Sequence, residues 1–252
     1  MSALDPRDPR DPRDPRDPRG ARPGPAGGSS LPPLPAFLAP LGERAGRGDV
    51  LVSRDPRVPA PPRTERPMRR SAVLIHVAGT EIHDAQLVLE ERGRTMRSQP
   101  GQFSLPGGGR DPGDQDDVDT ALREAREETG LVAADVRVLG AFAPIPMPWR
   151  SQVVTPVLSW SPAPPPLDVQ DPIEVERLVW APLTGPGSLS DPALQQRGEL
   201  DGRGVGPLFD LPGDALVWGF TAMILEQVLI GLGLDPVPPA APAREIPPER
   251  RR

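Results

Sequence analysis

Short apolar blocks, separated by polar or glycine-rich stretches, run through the middle of the chain. Residues 71–77 (SAVLIHV) are almost continuously apolar, a pattern typical of a strand that is buried on both faces. Further apolar blocks of strand length predict four more strands, at 85–89, 132–142, 152–160 and 175–180. The strand at 71–77 is expected at the centre of the sheet.

One segment has helical spacing instead. Within 117–129, four residues recur at intervals of four, three and four positions and form a single packing stripe: Val118, Leu122, Ala125 and Thr129. Gly130 follows directly, and glycine is common where a helix ends. The pattern therefore predicts a helix over 117–129 that packs by one face only.

A second helix is predicted from the apolar segment 215–234, with Asp214 as its N-cap. The segment is long enough to cross a bilayer. Glu226 and Gln227 interrupt it, however, and a carboxylate near the middle of a bilayer costs about 2.5–3.5 kcal/mol. A mostly buried helix with its polar pair facing outward is thus favoured over a membrane span. Strands and helices mixed in this order indicate an α/β or α+β sandwich.

Prolines crowd the two ends of the chain. Residues 1–67 hold 16 and residues 236–252 hold 6 of the 39 prolines, and residues 5–19 are five copies of Asp-Pro-Arg. Because proline interrupts helices and sheet ladders, disorder is predicted for an arm and linker at 1–67 and for a tail at 236–252. A single domain at 68–235 is expected between them. Within the arm, the apolar stretch 34–41 predicts a helical turn that packs on the domain.

Charge and composition exclude several functional classes. The chain has 35 acidic and 29 basic residues, for a net charge of −6, which does not favour a nucleic-acid surface. It contains no cysteine, so disulfides, thiolate metal sites and cysteine nucleophiles are excluded. Two histidines leave little room for a Ser-His-Asp constellation. The first residues show no basic head followed by an apolar run, so a cytoplasmic protein without a membrane partner is expected.

The first predicted helix carries a cluster of acidic residues. Glu124, Glu127 and Glu128 lie at i, i+3 and i+4 and so share one face. The preceding Pro-Gly-Gly-Gly run lets the backbone approach a ligand closely. Three carboxylates and a backbone carbonyl form a hard oxygen site suited to Mg²⁺ or Mn²⁺, ions commonly used with phosphate substrates. The alternative is that Arg123 and Arg126 neutralise the cluster as ordinary surface pairs.

The segment 108–131 resembles the Nudix box of pyrophosphohydrolases, whose core is Arg-Glu-x-x-Glu-Glu-x-Gly followed by an apolar residue. The residues that match this core are Arg123, Glu124, Glu127, Glu128, Gly130 and Leu131. By the general family spacing, the upstream glutamate position falls on Gln115 and its glycine on Gly109. A loop one residue longer, beginning at Gly108, places Asp114 at the acidic position and is similar to the coenzyme A pyrophosphatase branch.

A second segment, 87–108, resembles the upstream signature of the same branch. The residues that fit the signature are Arg92, Arg97, Gly101 and Phe103. Gly93 stands where the signature has serine, and Glu90 where it has threonine. Arg92 and Arg97 are expected to bind the terminal phosphates of a substrate, because a guanidinium group can make bidentate contacts with phosphate. The alternative is that both are solvent-exposed charges at the end of a strand.

The resemblance extends over about residues 70–234 and implies a Nudix-type α/β/α sandwich with a mixed β-sheet. It also implies a metal-dependent pyrophosphohydrolase that cleaves coenzyme A or acyl-CoA to 3′,5′-ADP and (acyl) phosphopantetheine, with Mg²⁺ or Mn²⁺ as cofactor. The alternatives are another nucleoside diphosphate derivative, such as ADP-ribose, NADH or a dinucleoside polyphosphate, and a catalytically silent nucleotide sensor. The expected partner is thus a small nucleotide and no nucleic acid, and a homodimer is left open.

Roles for individual residues are also implied by the resemblance. The expected catalytic residues are those of the box, Arg123, Glu124, Glu127 and Glu128. The three glutamates are the expected metal ligands, Glu124 and Glu128 before Glu127. Arg123 is expected to orient a carboxylate rather than to contact the substrate. Gly108 is expected at the substrate, and Glu174 is a candidate general base from a distant loop.

Overall fold

A computed structural model describes residues 31–52, 68–96 and 98–251. These residues form three α-helices: α1 (Ala39–Gly46), α2 (Asp117–Thr129) and α3 (Gly219–Gly231). They also form twelve strands: β1 (Arg69–Ala78), β2 (Gln86–Arg92), β3 (Phe103–Ser104), β4 (Gly107–Gly109), β5 (Arg137–Ala141), β6 (Ile145–Met147), β7 (Gln152–Ser161), β8 (Val175–Pro182), β9 (Gln195–Leu200), β10 (Arg203–Leu211), β11 (Ala215–Trp218) and β12 (Ala243–Glu245). The helix predicted at 117–129 is confirmed at both ends.

The main sheet is mixed and is built around β1 and β7, which run parallel with Leu74 opposite Val157. The path of paired strands is β3-β2-β1-β7-β5, while β4, β6 and β8 pair with β1, β7 and β2. The other pairings described for this sheet are antiparallel. The strand expected at the centre, β1, does lie there, and its residues 74–78 are fully buried.

Helices cover both faces of the main sheet. On one face, Ala72 and Leu74 of β1 pack with Ala121 of α2. The alternate residues Ile75 and Val77 point to the other face, where they join the apolar residues of α1 and α3 in a larger core. The predicted α/β sandwich, with a mixed sheet between layers of helices, is thereby confirmed.

A second, four-stranded sheet, in the order β11-β10-β9-β12, is absent from the sequence prediction. It changes where the last helix begins, because Ala215–Trp218 forms β11 and pairs antiparallel with β10. Gly213 and Asp214 both have positive φ, 76° and 59°, and they form the tight turn between the two strands. The expected cap is therefore wrong: Asp214 lies in a hairpin turn, and α3 begins at Gly219.

The prediction of a disordered tail at 236–252 is wrong for the part of it that the structure describes. Residues Ala243–Glu245 form β12, which pairs parallel with β9. Val237 and Ile246 are fully buried. The prolines divide this segment into short pieces, but they do not prevent the apolar residues between them from packing.

The predicted boundary of the domain at residue 68 is too late. Leu38 and Leu41 are fully buried in the larger core, so the packing predicted for 34–41 is confirmed. The domain therefore includes part of the segment that was assigned to the arm. The Asp-Pro-Arg repeats at 5–19 lie outside the described residues.

In the part of the chain that the structure describes, no helix has both the length and the apolar character needed to cross a membrane. Helix α3, which holds much of the apolar segment 215–234, has 13 residues. The sequence suggested that Glu226 faces outward, but its side chain is largely buried. Its side chain is 15% exposed and pairs with Arg197 of β9 at 3.3 Å, and this ion pair joins α3 to the second sheet.

Candidate active site

Helix α2 carries the glutamates of the site, and local interactions fix both of its ends. Asp116 caps the first turn, because its carboxylate accepts hydrogen bonds from the backbone N–H groups of Val118 and Asp119, each at 2.9 Å. Gly130 ends the helix in the left-handed conformation, with a φ of 72°, as predicted. The orientation of the glutamates is thus set by residues next to them in the sequence.

Arg123 links α2 to the loop before it. Its Nε and Nη2 donate to the two carboxylate oxygens of Asp114, both at 3.0 Å. Nη2 also donates to the carbonyl of Gly109 at 2.7 Å. On the helix itself, Arg123 lies 3.0 Å from Glu124 and 3.0 Å from Glu127. The hydrogen bonds from Arg123 hold the pKa of Asp114 well below its usual range. These are the contacts of a positioning residue.

Glu128 is buried, which is rare for a carboxylate, and one oxygen accepts a hydrogen bond from the backbone N–H of Gly107 at 2.8 Å. Burial raises the pKa of Glu128 to about 10, and the nearby carboxylate of Glu90 adds to the shift. Burial also raises the pKa of Glu124, against the opposing charge of Arg123. Negative charge is therefore poorly compensated in this part of the site.

Gly108 lies directly against one of these carboxylates. A Cβ built on Gly108 would lie 2.5 Å from the carboxylate carbon of Glu124 and 2.6 Å from both of its oxygens. Strand β4 holds this glycine in place by pairing with β1, with Gly108 opposite Ala72. Any side chain at position 108 would displace Glu124, so this position requires glycine for steric reasons.

Glu90 is a site residue that the sequence prediction missed. Its side chain is fully buried on β2, and the hydroxyl of Ser104 donates to Oε1 at 2.9 Å. Within the described residues, Oε2 is buried and has no hydrogen-bond partner, and the carboxyl group of Glu128 interacts with Glu90. Burial raises the pKa of Glu90 to about 7. The sequence did contain a sign of this residue: Glu90 directly follows an apolar run and occupies a position where the resembled signature has threonine.

The loop that carries Glu174 lies against these carboxylates. The charge of Glu174 acts on both Glu90 and Glu124. Its backbone carbonyl accepts a hydrogen bond from the N–H of Gly93 at 2.7 Å. A Cβ on Gly93 would lie 2.0 Å from the carbonyl oxygen of Ile173. The glycine that replaces the serine of the resembled signature is therefore required by this close approach.

A cleft of about 1700 Å³ opens beside β4. Gly107–Gly109, Ser104 and Arg92 form one part of its wall, and the start of α3 forms another. The α2 glutamates adjoin the glycine strand but are not part of the wall. Arg92 lines the cleft and makes no side-chain hydrogen bond or ion pair with any described residue. Arg97, the other predicted phosphate contact, lies outside the described residues.

The donor set suits a hard dication, although no described group of three acidic or histidine side chains is already arranged around one metal position. Glu90, Glu124 and Glu128 interact with one another, and within this group the described ion pair is that of Glu124 with Arg123. Burial is the main cause of their raised pKa values, and a dication would stabilise the buried carboxylates in their charged form. Glu124 and Glu128 would hold Mg²⁺ or Mn²⁺, whereas Glu127, the third expected ligand, has a half-exposed side chain.

His76 is buried between two hydroxyl groups, away from the cleft. Its ring nitrogens lie 2.9 Å from the hydroxyl of Ser159 and 3.1 Å from that of Ser161. Burial lowers the pKa of His76 to about 4, so the ring is neutral at neutral pH. Neither His76 nor the exposed His83 lines the cleft.

A family model described as the NUDIX domain matches residues 68–199, just over half of the chain. The chain belongs to the Nudix family. The match includes the glycine strand, the whole of α2, Glu90 and Glu174, so the carboxylate cluster is part of the Nudix domain. Strand β9 lies at the end of the match, and the other three strands of the second sheet lie beyond it together with α3.

Curated relatives of this Nudix chain include the "Uncharacterized Nudix hydrolase NudL" of Yersinia pestis (strain Pestoides F) and the protein of the same name from Yersinia pseudotuberculosis serotype O:1b (strain IP 31758). Each is 41% identical over 95 residues, which are 38% of this chain and 46% of the relative. The chain thus spans less than half the length of these relatives.

Similar solved structures include the Nudix hydrolase RenU of M. smegmatis, with 22% identity, a TM-score of 0.38 and coverage of 45% of this chain and 70% of RenU. The NUDIX domain of Shewanella oneidensis NrtR, complexed with ADP ribose, has 18% identity, a TM-score of 0.38 and coverage of 49% and 79%. At these values neither likeness bears on the activity of this chain.

Proposed function

We propose that this Nudix chain hydrolyses the diphosphate bridge of coenzyme A or an acyl-CoA, giving 3′,5′-ADP and the (acyl) phosphopantetheine. The observation that carries the proposal is the cluster of Glu90, Glu124 and Glu128 against the glycine strand, next to a cleft lined by Arg92, which makes no ion pair with a described residue. Carboxylates attract a dication, and a free guanidinium attracts a phosphate.

In this reaction the oxygen of a water molecule bonds to one phosphorus, the bridging P–O bond breaks, and the bridging oxygen leaves with the other phosphate. A bound Mg²⁺ or Mn²⁺ supplies charge neutralisation and a lower pKa for the attacking water. Glu124 and Glu128 would hold the ion, and Arg123 keeps Glu124 in place from 3.0 Å. Gly108 leaves room for that carboxylate.

The proton of the attacking water needs an acceptor. Glu174 is exposed and lies close enough to Glu90 and Glu124 to act on both electrostatically. The exposed carboxylate of Glu174 is accessible to a water molecule, whereas the carboxylates of Glu90 and Glu128 are buried. We therefore assign Glu174 as the general base.

The cleft suits an elongated nucleotide. Its volume of about 1700 Å³ exceeds the range of about 300–1,000 Å³ that is usual for small-molecule sites. Arg92 lies in the polar part of the wall, where it would bind the diphosphate. The start of α3 contributes apolar residues for a less polar arm of the substrate: Trp218, Phe220, Met223 and Ile224. The resemblance of 87–108 to the coenzyme A branch supports the same assignment.

A substrate panel tests the proposal. The purified chain is incubated with Mg²⁺ or Mn²⁺ and, separately, coenzyme A, acetyl-CoA, ADP-ribose, NADH and a dinucleoside polyphosphate, and products are resolved by chromatography. We expect 3′,5′-ADP to appear from coenzyme A or acetyl-CoA. Cleavage of ADP-ribose without cleavage of either CoA compound would reject the assignment. Tight nucleotide binding with no cleavage of any member would indicate a sensor instead.

A further inference from the structure

The cleft carries positive charge although the chain is acidic. The net charge of the chain is −6. Five arginines nevertheless line the cleft: Arg69, Arg70, Arg92, Arg110 and Arg150. The acidic residues that line it are two, Asp111 and Asp114. A cleft lined by one sign of charge concentrates ligands of the opposite sign, so the expected ligand is anionic.

Two of the five arginines share a single carboxylate, that of Asp117. Arg70 lies 2.6 Å from the carboxylate of Asp117, and Arg110 lies 3.4 Å from the same carboxylate. Asp114 does not offset the remaining arginines, because it pairs with Arg123 at 3.0 Å. Most of the positive charge that a ligand can meet therefore comes from the other three arginines.

Arg69, Arg92 and Arg150 make no ion pair with any described residue. Arg150 donates to the neutral amide oxygen of Gln99 at 2.9 Å, a contact that a charged acceptor would replace favourably. Exposed arginines are usually solvated and need no explanation. These three differ because they line one cleft in which the neighbouring arginines are paired. Arg92 is assigned above to the diphosphate, which leaves two cations without a role.

Arg69 and Arg150 lie together at one end of the cleft. The backbone N–H of Arg69 donates to the carbonyl of Ser151 at 2.9 Å, so Arg69 is beside the residue that follows Arg150. Ser71 pairs with Gly109 in the ladder of β1 and β4. Arg69 lies two residues further along β1, a distance of about 7 Å at the usual rise of a strand. The two arginines are thus next to the glycine strand but beyond its end.

We propose that Arg69 and Arg150 form a second phosphate subsite, which binds a phosphomonoester of the substrate separate from the diphosphate that is cleaved. A phosphomonoester carries about −1.5 to −2 charges near neutral pH and three acceptor oxygens, which suits two guanidinium groups. The inference rests on the proposed function and narrows it. The substrate class becomes nucleotides with a ribose phosphate in addition to the diphosphate, a feature that coenzyme A has and ADP-ribose lacks.

A binding experiment tests the subsite without turnover. 3′,5′-ADP and AMP differ only in the 3′-phosphate, and titration calorimetry of the full chain measures the affinity for each. We expect the unsubstituted chain to bind 3′,5′-ADP at least about tenfold more tightly, the order expected for hydrogen bonds between charged groups. In a chain with both Arg69→Gln and Arg150→Gln, the two affinities should become equal.

Arg203→Gln is the matched control. Arg203 is exposed on β10 and does not line the cleft, so this variant loses a similar surface charge elsewhere. It should keep the preference for 3′,5′-ADP. Equal affinities in the unsubstituted chain would overturn the proposal, and so would a preference that survives the double substitution.

Kinetics separates this inference from the proposed reaction. With coenzyme A, the double variant should show a KM raised at least about tenfold, whereas its KM for dephospho-CoA should be unchanged. A chain that prefers 3′,5′-ADP in binding but cleaves neither compound would contradict the proposed reaction and support the subsite. Cleavage of both compounds with equal KM by the unsubstituted chain would overturn the subsite and support the reaction.

Discussion

Glu128 and Gly107 are joined across the site: the carboxylate at the end of α2 accepts a hydrogen bond from the backbone N–H at the start of β4, at 2.8 Å. The bond fixes the distance between the acidic helix and the glycine strand. The same carboxyl group interacts with Glu90 and Glu124. Glu128 therefore has two roles: it connects α2 to β4, and it contributes a carboxyl group to the acidic cluster.

Substituting Glu128 with glutamine should separate these two roles. The amide oxygen of glutamine can still accept from Gly107, so the unfolding temperature should change little. The loss of a charged ligand should lower kcat with Mg²⁺ at least about a hundredfold and weaken Mn²⁺ binding measured by calorimetry. Glu176→Gln, an exposed change on β8, is the control and should alter neither quantity. Unchanged turnover in Glu128→Gln would remove this residue from the site.

Adding a single methyl group at Gly108 should disturb the site through sterics alone. The new Cβ would lie 2.5 Å from the carboxylate carbon of Glu124, so Gly108→Ala must push that side chain away. We expect kcat to fall at least about tenfold, because a misplacement of about 1 Å in a catalytic site is costly. Gly113 lies in the loop that follows β4, with open space around it, so Gly113→Ala should keep its activity. Equal activity of the two variants would show that Glu124 does not need its present position.

The buried imidazole of His76 should make stability depend on pH. Its pKa is about 4 in the folded chain, against a reference value of 6.5. The unfolded chain therefore binds a proton first as the pH falls, and stability is lost progressively between about pH 6.5 and pH 4. The full loss is of the order of 3 kcal/mol. Urea unfolding of the chain and of His76→Asn at several pH values measures it, with His83→Asn as control. A flat difference between the chain and His76→Asn across this range would contradict the assignment.

Arg250 should stabilise the domain from the segment that was predicted to be disordered. Its Nη1 lies 3.5 Å from the buried carboxylate of Glu91 and donates to the carbonyl of Gly101 at 2.6 Å. Arg177 also pairs with Glu91, at 2.6 Å, so that carboxylate would not be left alone. Arg250→Gln should therefore lower the free energy of unfolding by about 1–3 kcal/mol, less than the full cost of breaking a buried ion pair.

The neighbouring arginine provides the comparison. Arg251 pairs with the exposed residues Asp201 and Glu245, and exposed pairs are worth about 0–1 kcal/mol. Arg251→Gln should thus have a smaller effect in the same chemical denaturation. Equal effects of the two substitutions would mean that the pair of Arg250 with Glu91 stabilises the fold no more than an exposed ion pair does.

Local features were predictable where the sequence itself supplied the boundary. Helix α2 was predicted at both ends because its packing stripe stops at Gly130, which takes a left-handed conformation. The central strand was predicted because its residues are apolar on both faces. These features depend on neighbours in sequence, so the pattern of the chain is sufficient to find them.

Features that depend on distant partners were missed. Proline content suggested disorder after residue 235, but β12 is held by β9, about fifty residues earlier in the chain. The whole apolar segment from Ala215 was assigned to a helix with Asp214 as its cap, yet its first four residues complete a hairpin. Glu90 was missed for a similar reason: its burial beside Glu128 depends on how β2 and α2 meet.

The contact between Gly93 and Ile173 has a mechanical consequence. With only a hydrogen atom between the two backbones and a hydrogen bond beside them, the segment that leads from Arg92 towards Arg97 cannot slide past the loop that carries Glu174. A motion of the backbone that follows Arg92, the proposed phosphate contact, would therefore also move Glu174, the proposed general base. In the proposed reaction, the movement that releases the product would then also stop the activation of water.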